Sequence, residues 1–578
     1  MTDKYSMERS IREYAHWADF ALPGDLRIEY ENIASDAEAI YDRFCKDLTF
    51  GTSGLRGKMG LGTNRINKLV LKRATAGVKD YLLAASERPL VLVSYDTRVN
   101  SVDFAENVAR DLARGGIEVR LFAEPTPVPV LSFAIRELGA DGGIMITASH
   151  NPREYNGYKV YDHYGNQIDE ATARQIERCI AAHDYCEPEE DECEAEEAGA
   201  VEILSDSIKK AYLRALRRNL LLWTDQKTAA RALDDLSVVY TPLNGSGRDY
   251  VMEVAKSLGL GIFRIVEEQG LWDGEFPTCI VPNPEYDQVF AIALEKYADA
   301  DTDIIIATDP DSDRMGVMAR DAGGSFRRLS GNQTGLLMLD YVCYCHRQQQ
   351  EGLRPLSPDM TVFKSYVSSP IAEDIARDYG VSIRNVPTGF KNIAAEMEKL
   401  RQQGREEDFL FGFEESMGYL YGTYTRDKDG VLAAQLICLI AAALKSEGKT
   451  LFDKLEEMQE RYGYLRSQVT AVEFSSEQER QSIDALMEAL FAGKLPELKG
   501  LKLHADLTQR QSNMFRAELD GGHQLIIRPS GTEPKVKIYV YARGADGSSA
   551  EQNAQELAGA AQAFVHRFLQ EKRHERLY

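Results

Sequence analysis

A serine and a histidine stand together where an apolar run of the chain ends. The run at 144–147 predicts a strand, and Ser149, His150 and Pro152 follow it closely, with Lys159 a little further on. Because Pro152 prevents a helix here, the Ser149 hydroxyl is presented at the strand end, where it could be a nucleophile or carry a phosphoryl group. A hydroxyl that only caps a turn is the alternative. The flanking residues do not match the G-x-S-x-G pattern of a hydrolase.

Three aspartates alternate in the segment TDPDSDR at 308–314. Asp309, Asp311 and Asp313 follow an apolar run directly. Carboxylates this close repel one another unless a positive charge lies among them, and their oxygens suit a hard cation such as Mg²⁺. Arg314 stands where an EF-hand would need glycine, so the pattern is not that calcium loop, and Arg314 supplies a counter-charge instead. An acidic surface turn is the alternative.

A third segment, IIRPSGTEP at 526–534, could hold an anion. Arg528 offers a guanidinium. Ser530, Gly531 and Thr532 offer hydroxyls and a glycine-rich backbone whose N–H groups can point at one phosphate. A plain turn between two strands is the alternative.

Three further loops carry polar side chains, and each alone is better explained as a structural turn. They are FGTSGLRG at 50–57 with Arg56, PTGFKN at 387–392 presenting Lys391 from a turn, and GFEESMGY at 412–419 with Glu414 and Ser416. The last of them could hydrogen-bond sugar hydroxyls. Together the six segments offer a phosphoryl carrier, a metal loop, an anion cradle and a hydroxyl-reading loop. This set indicates phosphoryl transfer on a sugar.

The elements that position these residues alternate between strands and helices. Apolar strands such as 89–97 and amphipathic helices such as 101–116 predict α/β units with a mainly parallel sheet, and 361–369 is predicted as a strand of a later unit. In such sheets ligands bind at the carboxyl ends of strands. A chain of 578 residues is too long for one core. The sequence predicts four domains: 1–205 with the serine loop, 206–325 with the metal loop, 326–450 with the sugar-reading loop and 451–578 with the phosphate-binding loop.

The composition excludes several classes of function. A net charge of −23 disfavours nucleic acid and anionic membranes as partners, so an anionic substrate must be held by local cations. No apolar run reaches the roughly 18 residues of a membrane span, and the polar N-terminus predicts no signal peptide. Eight sparse cysteines are typical of free thiols in a cytoplasmic protein. Residues 1–40 and the acidic block 187–198 carry no functional prediction.

The six motifs, in their order along the chain, resemble those of the α-D-phosphohexomutase superfamily over roughly residues 40–560. The resemblance implies an α/β fold of four domains around a central cleft, with three similar mixed-sheet α/β units and a smaller C-terminal α+β domain. It implies a phosphate on Ser149 and a Mg²⁺ ion held by Asp309, Asp311, Asp313 and that phosphate. The substrate-binding residues that it implies are Arg314, Lys391, Glu414, Ser416, Arg528, Ser530, Gly531 and Thr532.

The implied activity is the interconversion of glucose 1-phosphate and glucose 6-phosphate through a phosphoserine enzyme. Glucose 1,6-bisphosphate would be the intermediate and activator. His150 or Lys159 would be the acid–base group, with Arg56 as a further catalytic residue, and the residues do not decide between the first two. Phe413 and Ala148 replace glycines of many members and favour the branch of longer phosphoglucomutases and phosphopentomutases.

Other activities remain as alternatives at this point. Phosphomannomutase, phosphopentomutase and glucose-1,6-bisphosphate synthase would use the same site. A metal-dependent phosphatase with an aspartyl nucleophile and a non-catalytic phosphosugar-binding protein are rivals of other classes. The sequence leaves both a monomer and a dimer open.

Overall fold

The computed structural model describes residues 7–20, 22–52, 54–185, 201–298, 301–348, 353–473, 477–493, 503–506, 509, 513–529 and 535–575. Ser530, Gly531 and Thr532 of the predicted phosphate-binding segment lie outside these residues, as does the acidic block 187–198. Within the described residues the strands form four sheets.

Three helices precede and cover the first sheet. The elements are α1 (Met7–Trp17), α2 (Gly24–Asn32), α3 (Ala37–Phe44), β1 (Leu55–Lys58), α4 (Lys68–Ala85), β2 (Leu90–Tyr95), α5 (Ser101–Arg114), β3 (Glu118–Phe122), α6 (Val128–Leu138), β4 (Gly142–Ile146), β5 (Tyr155–Asp162), α7 (Glu170–Ile180) and β6 (Val201–Leu204). The sheet order is β1-β5-β4-β2-β3-β6, with β5 antiparallel to both β4 and β1. Its central parallel strands β2 and β4 are buried along nearly their whole length because alternate side chains enter two cores. Leu92 packs toward the second and third units, and Val91 and Val93 share a core with Trp17.

The second sheet has five strands in the order β11-β10-β9-β7-β8. Its elements are α8 (Ser207–Arg218), α9 (Gln226–Asp235), β7 (Ser237–Thr241), α10 (Arg248–Leu258), β8 (Ile262–Ile265), α11 (Glu267–Gly270), α12 (Ala291–Tyr297), β9 (Ile304–Thr308), β10 (Met315–Arg320) and β11 (Phe326–Arg328). β7, β8 and β9 are parallel, and β10 turns back antiparallel to β9.

The third sheet has four strands in the order β13-β12-β14-β15. Its elements are α13 (Gly331–Arg347), β12 (Thr361–Ser365), α14 (Ile371–Tyr379), β13 (Ser382–Val386), α15 (Phe390–Gln402), β14 (Phe409–Glu414), β15 (Gly418–Leu420) and α16 (Gly430–Ser446). β15 alone in this sheet is antiparallel to its neighbour.

The fourth sheet is antiparallel and ordered β16-β20-β19-β18-β17. Its elements are α17 (Leu451–Tyr462), β16 (Tyr464–Glu473), α18 (Glu477–Phe491), β17 (Leu503–Asp506), β18 (Phe515–Leu519), β19 (His523–Pro529), β20 (Lys535–Gly544) and α19 (Gly547–Glu575). The chain therefore has three mixed-sheet α/β units and a smaller α+β unit, as expected for the fold class.

The first three sheets share one topology. Their common strand orders are β5-β4-β2-β3, β10-β9-β7-β8 and β15-β14-β12-β13. In each, a parallel strand ends in a loop and the next strand returns antiparallel beside it. These three equivalent loops carry Ser149, the aspartates and Glu414. The fold thus brings the predicted serine, metal and sugar loops to the same end of their respective sheets.

The sheets combine parallel with antiparallel pairs, as expected for mixed sheets, because β5, β10 and β15 each return beside the strand before them. Two local predictions are wrong. The strand predicted at 361–369 ends at Ser365, where Ser368 N–H donates to the Ser365 carbonyl and closes a turn. Lys391 lies in the first turn of α15 rather than in a loop.

Of the described residues, no single helix is both long and apolar enough to span a membrane. α16 and α17 pass the same length and composition criteria only as a pair, across a bend of 84°.

Candidate active site

The serine loop contacts the aspartate loop directly. Ser149 Oγ donates to Asp309 Oδ2 at 2.9 Å, across 160 residues of sequence, and lies 3.1 Å from His150 Nδ1. The Ser149 backbone has a left-handed φ of 53° and its N–H donates to Thr147 Oγ at 2.8 Å. This conformation, uncommon for a residue with a side chain, turns the hydroxyl toward the second unit. Burial, together with the nearby Arg314 guanidinium, lowers the pKa of His150 well below its ordinary value.

A buried arginine that the sequence analysis missed supports the serine loop. Arg98 donates to the backbone carbonyls of Ser149, Asn151, Pro152 (2.9 Å) and Tyr155 (3.2 Å). Its charge is paired with Asp96, whose carboxylate lies 3.3 Å away. The sequence signal for this arginine was the charged pair in YDTR, directly after the buried strand β2. The other functional loops also begin directly after buried strands.

The three aspartates form a buried cluster whose oxygens fit a metal ion. One carboxylate oxygen from each of Asp309, Asp311 and Asp313 lies within 4.8 Å of the others. Asp311 Oδ2 accepts from Lys159 Nζ at 2.8 Å. Asp311 Oδ1 and Asp313 Oδ1 are buried, and no described residue hydrogen-bonds to them. Buried anionic oxygens without a donor are costly, so this donor set fits a divalent cation.

The pKa values of the three aspartates are shifted in different directions. Burial and the neighbouring Asp311 carboxylate raise the pKa values of Asp309 and Asp313. Burial would also raise the pKa of Asp311, but the Lys159 ammonium outweighs this effect and lowers it. Mutual repulsion of the carboxylates contributes to the raised pKa values, and a bound cation would offset it.

A second missed cation joins the metal loop to the third unit. Lys428 Nζ lies 3.0 Å from Asp313 Oδ2 and 3.2 Å from Asp427 Oδ1. Asp427 in turn accepts from Tyr161 Oη of β5 at 2.9 Å. The signal in the sequence was the dense run of charges TRDKDG between two buried elements.

The two glutamates of the loop at 412–419 have different partners. Glu414 accepts from the Gly389 N–H at 2.6 Å, and burial beside Glu415 raises the pKa of Glu414 to about 7. Glu415 instead accepts a hydrogen bond from Ser365 Oγ at 2.7 Å, so its carboxylate is already occupied by a donor of the protein. Ser416 is half-buried, with its Oγ 3.4 Å from Glu415.

Of the remaining predicted cations, two have partners within their own unit and two join different units. Arg56 on β1 donates to Asn151 Oδ1 at 3.1 Å, and Arg314 lies 3.2 Å from Glu285. Lys391 donates to the Thr52 hydroxyl and so links the third unit to the first, while Arg528 donates to Thr388 Oγ and links the fourth unit to the third. Among the described residues, side-chain contacts therefore link all four units.

Three α/β units that meet at a buried serine and an aspartate cluster, with a fourth unit in contact with the third, define a multidomain α/β enzyme. The phosphoglucomutase/phosphomannomutase models of alpha/beta/alpha domains I, II and III match residues 47–186, 210–324 and 330–462, and the C-terminal-domain model matches 490–560. The chain belongs to the phosphoglucomutase/phosphomannomutase family.

Curated relatives and solved structures agree with this membership. A phosphoglucomutase of Staphylococcus epidermidis is 33% identical over 544 residues, covering 91% of this chain and 96% of that protein. One of Staphylococcus aureus (strain MRSA252) is 35% identical over 517 residues, covering 86% and 90%. The structure of a phosphoglucomutase/phosphomannomutase family protein from Burkholderia thailandensis has a TM-score of 0.66 at 19% identity, covering 90% of this chain and 97% of that one, and shows the same fold.

Proposed function

We propose that this protein is a phosphoglucomutase, which interconverts glucose 1-phosphate and glucose 6-phosphate through a phosphoserine at Ser149 and glucose 1,6-bisphosphate as intermediate. The observation that carries the proposal is the 2.9 Å contact of Ser149 Oγ with Asp309 in the aspartate cluster. The staphylococcal relatives named as phosphoglucomutases support the choice of sugar. As a member of its family, the chain is a mutase of the isomerase class.

The aspartate cluster is the proposed Mg²⁺ site. Asp309, Asp311, Asp313 and the phosphate of Ser149 would be the ligands, and the donor-free oxygens of two of these aspartates support this set. When bound, Mg²⁺ supplies positive charge that stabilises the negative charge developing on the serine oxygen.

In the first half-reaction the 6-hydroxyl oxygen of glucose 1-phosphate attacks the phosphorus of phospho-Ser149. A bond from phosphorus to O6 forms and the bond to Ser149 Oγ breaks. We assign His150 as the acid–base group because Lys159 already donates to Asp311, whereas His150 Nδ1 lies beside Ser149 Oγ. His150 takes the O6 proton and, from 3.1 Å, returns it to Ser149 Oγ.

The second half-reaction is the reverse with the other phosphate. Glucose 1,6-bisphosphate turns so that its 1-phosphate faces Ser149, which takes that phosphoryl group and releases glucose 6-phosphate. Glu414 and Ser416 would hold the sugar hydroxyls in both orientations. The phosphate that does not react would be held by Arg528, Ser530, Gly531 and Thr532, and the cleft would be lined with positive charge by Arg56, Arg314 and Lys391.

Intact mass and turnover test the phosphoserine. Freshly purified wild-type protein should carry a phosphate-sized adduct that is absent from Ser149→Ala and retained in Ser94→Ala, a buried serine of β2 used as control. Ser149→Ala should lose mutase turnover. Full turnover by that variant would reject the assignment, and a panel of glucose, mannose and ribose 1-phosphates, with and without glucose 1,6-bisphosphate, tests the sugar.

We also propose the domain boundaries 205/206 and 450/451, and place the middle one after β11. β11 pairs with β10 of the second sheet, which supports moving that boundary from 325 to the end of the strand. A cytoplasmic location, and a monomeric or dimeric state, stay predictions.

A further inference from the structure

The loop before α10, residues 242–247, packs directly behind the aspartate loop. The Ser246 N–H and the Ser246 Oγ both donate to the Pro310 carbonyl, each at 2.9 Å. Proline has no N–H, so this carbonyl is the only backbone group through which Pro310 can be hydrogen-bonded. Ser246 is 1% exposed, so water does not compete for the contact.

Two glycines allow this close approach. A Cβ at Gly245 would stand 2.6 Å from Pro310 Cα, and one at Gly247 would stand 2.4 Å from Ser312 Oγ. The residues before them, 243–244, take left-handed φ values of 50° and 58°. Strained backbone and glycine at a tight contact are costly and persist where the surrounding structure requires them.

The next two carbonyls of the aspartate loop are held by other units. The Asp311 carbonyl accepts from the Val128 N–H at 2.9 Å, and the Ser312 carbonyl accepts from the Gly430 N–H at 3.0 Å. Both donors are backbone groups at the start of helices. Of these contacts, the Ser246 hydroxyl is therefore the one that a side-chain substitution can remove.

We propose that Ser246 is a positioning residue for the metal site, a role that rests on the proposed function. Asp309 and Asp311 lie on either side of Pro310, so the direction of the Pro310 carbonyl sets the direction in which both carboxylates point. Ser246 touches neither the metal ligands' carboxylates nor the substrate. It acts by holding the backbone between two of them.

Binding of Mn²⁺, followed by the electron paramagnetic resonance of the free ion, tests this role without turnover. Ser246→Ala should weaken binding about tenfold, as outer contacts of metal sites typically do. Ser237→Ala is the matched control. Ser237 is equally buried at the other end of β7, and its Oγ accepts from Arg264 at 3.0 Å, so the control also loses one hydrogen bond. It should bind Mn²⁺ within about twofold of wild type.

Two outcomes would overturn the inference in distinguishable ways. Equal Mn²⁺ affinity of Ser246→Ala and Ser237→Ala removes the positioning role and leaves the metal site standing. Wild-type binding that Asp311→Asn does not weaken removes the metal site and the inference together.

If Ser246→Ala does not fold, hydrogen exchange of the wild type decides. Because coupling is reciprocal, Mn²⁺ should slow exchange in 242–247 but not at the Ser237 amide, which donates to Asp303 at 2.8 Å. An equal response at both places contradicts the proposal.

Discussion

The buried carboxylates of the cleft differ in charge because their partners differ. Asp311 has the Lys159 ammonium at 2.8 Å, which lowers its pKa. Glu414 has a backbone N–H as its hydrogen-bond donor, and burial beside Glu415 raises its pKa to about 7. The charge of a buried carboxylate here therefore depends on its nearest hydrogen-bond donor and not on whether the residue is an aspartate or a glutamate.

The pH dependence of kcat/KM should report Glu414. In the role proposed for it, its ionised form would accept hydrogen bonds from sugar hydroxyls, so kcat/KM should rise as the pH rises through about 7. The glutamine of Glu414→Gln is neutral at every pH, so the rise of kcat/KM with pH should be absent in this variant. Its kcat/KM at pH 8 should be about tenfold lower than that of the wild type. The substrate phosphate titrates identically with both proteins and so serves as an internal control. If kcat/KM of the variant rises with pH as in the wild type, another group is responsible for the rise.

The same pKa shift makes a signed prediction for stability without substrate. The stability contributed by neutral Glu414 is fully present below its unfolded value of 4.5 and is lost as the pH rises through about 7. Glu414→Gln should therefore gain in melting temperature relative to wild type between pH 5 and pH 8.

At the scale of elements, the three equivalent loops share one feature of backbone conformation. Each must leave a parallel strand, display polar side chains and return antiparallel. Each uses a residue other than glycine at left-handed φ: Ser149 at 53°, Ser312 at 54° and Met417 at 62°. Such conformations cost on the order of 1 kcal/mol or more and are held by the packed sheets on both sides.

Two helix glycines should respond in opposite directions to alanine. In α4, a Cβ at Gly77 would stand 2.6 Å from the backbone nitrogen of Ile180 in α7, whereas nothing lies within 4 Å of one at Gly559 in α19. Gly559→Ala should stabilise its unit by about 0.5–1 kcal/mol through helix propensity. Gly77→Ala should instead destabilise by about 1–3 kcal/mol, because overpacking outweighs that gain. Thermal unfolding measures both, and a stabilised Gly77→Ala would mean that α4 and α7 are less tightly packed.

At the scale of the whole molecule, an acidic protein must attract an anionic substrate. The net charge is −23, and the cations proposed to offset it at the site are Arg56, Arg314, Lys391 and Arg528. Field lines from a local cluster in a low-dielectric cleft are focused, so the cations of the cleft should dominate at short range.

The sign of the salt dependence tests this balance. Between about 10 mM and 150 mM salt the screening length falls from about 30 Å to about 8 Å. If local cations dominate, kcat/KM should fall over this range, and it should fall less steeply in Lys391→Met. A rise with salt would mean that long-range repulsion by the acidic surface controls capture.

The local chemistry was readable from the sequence because it is carried by contiguous motifs. Ser149 at a strand end and the alternating aspartates after β9 are short patterns whose residue types state their chemistry. Strand and helix positions followed from apolar periodicity, since the cores impose it. The antiparallel return of β5, β10 and β15, each beside the strand before it, agrees with the mixed sheets that the family resemblance implied.

The amino-acid sequence by itself determined the class of reaction, the motifs and the four-unit plan. The tertiary structure alone decided that Ser149 meets Asp309, that Lys159 is occupied by Asp311, and that Arg98 and Lys428 belong to the site. The contacts of Ser149, Lys159 and Lys428 with the aspartates join different units, more than a hundred positions apart, whereas Arg98 contacts the serine loop within the first unit. No local pattern encodes such contacts, because they arise from how three similar sheets pack with their equivalent loops facing one another.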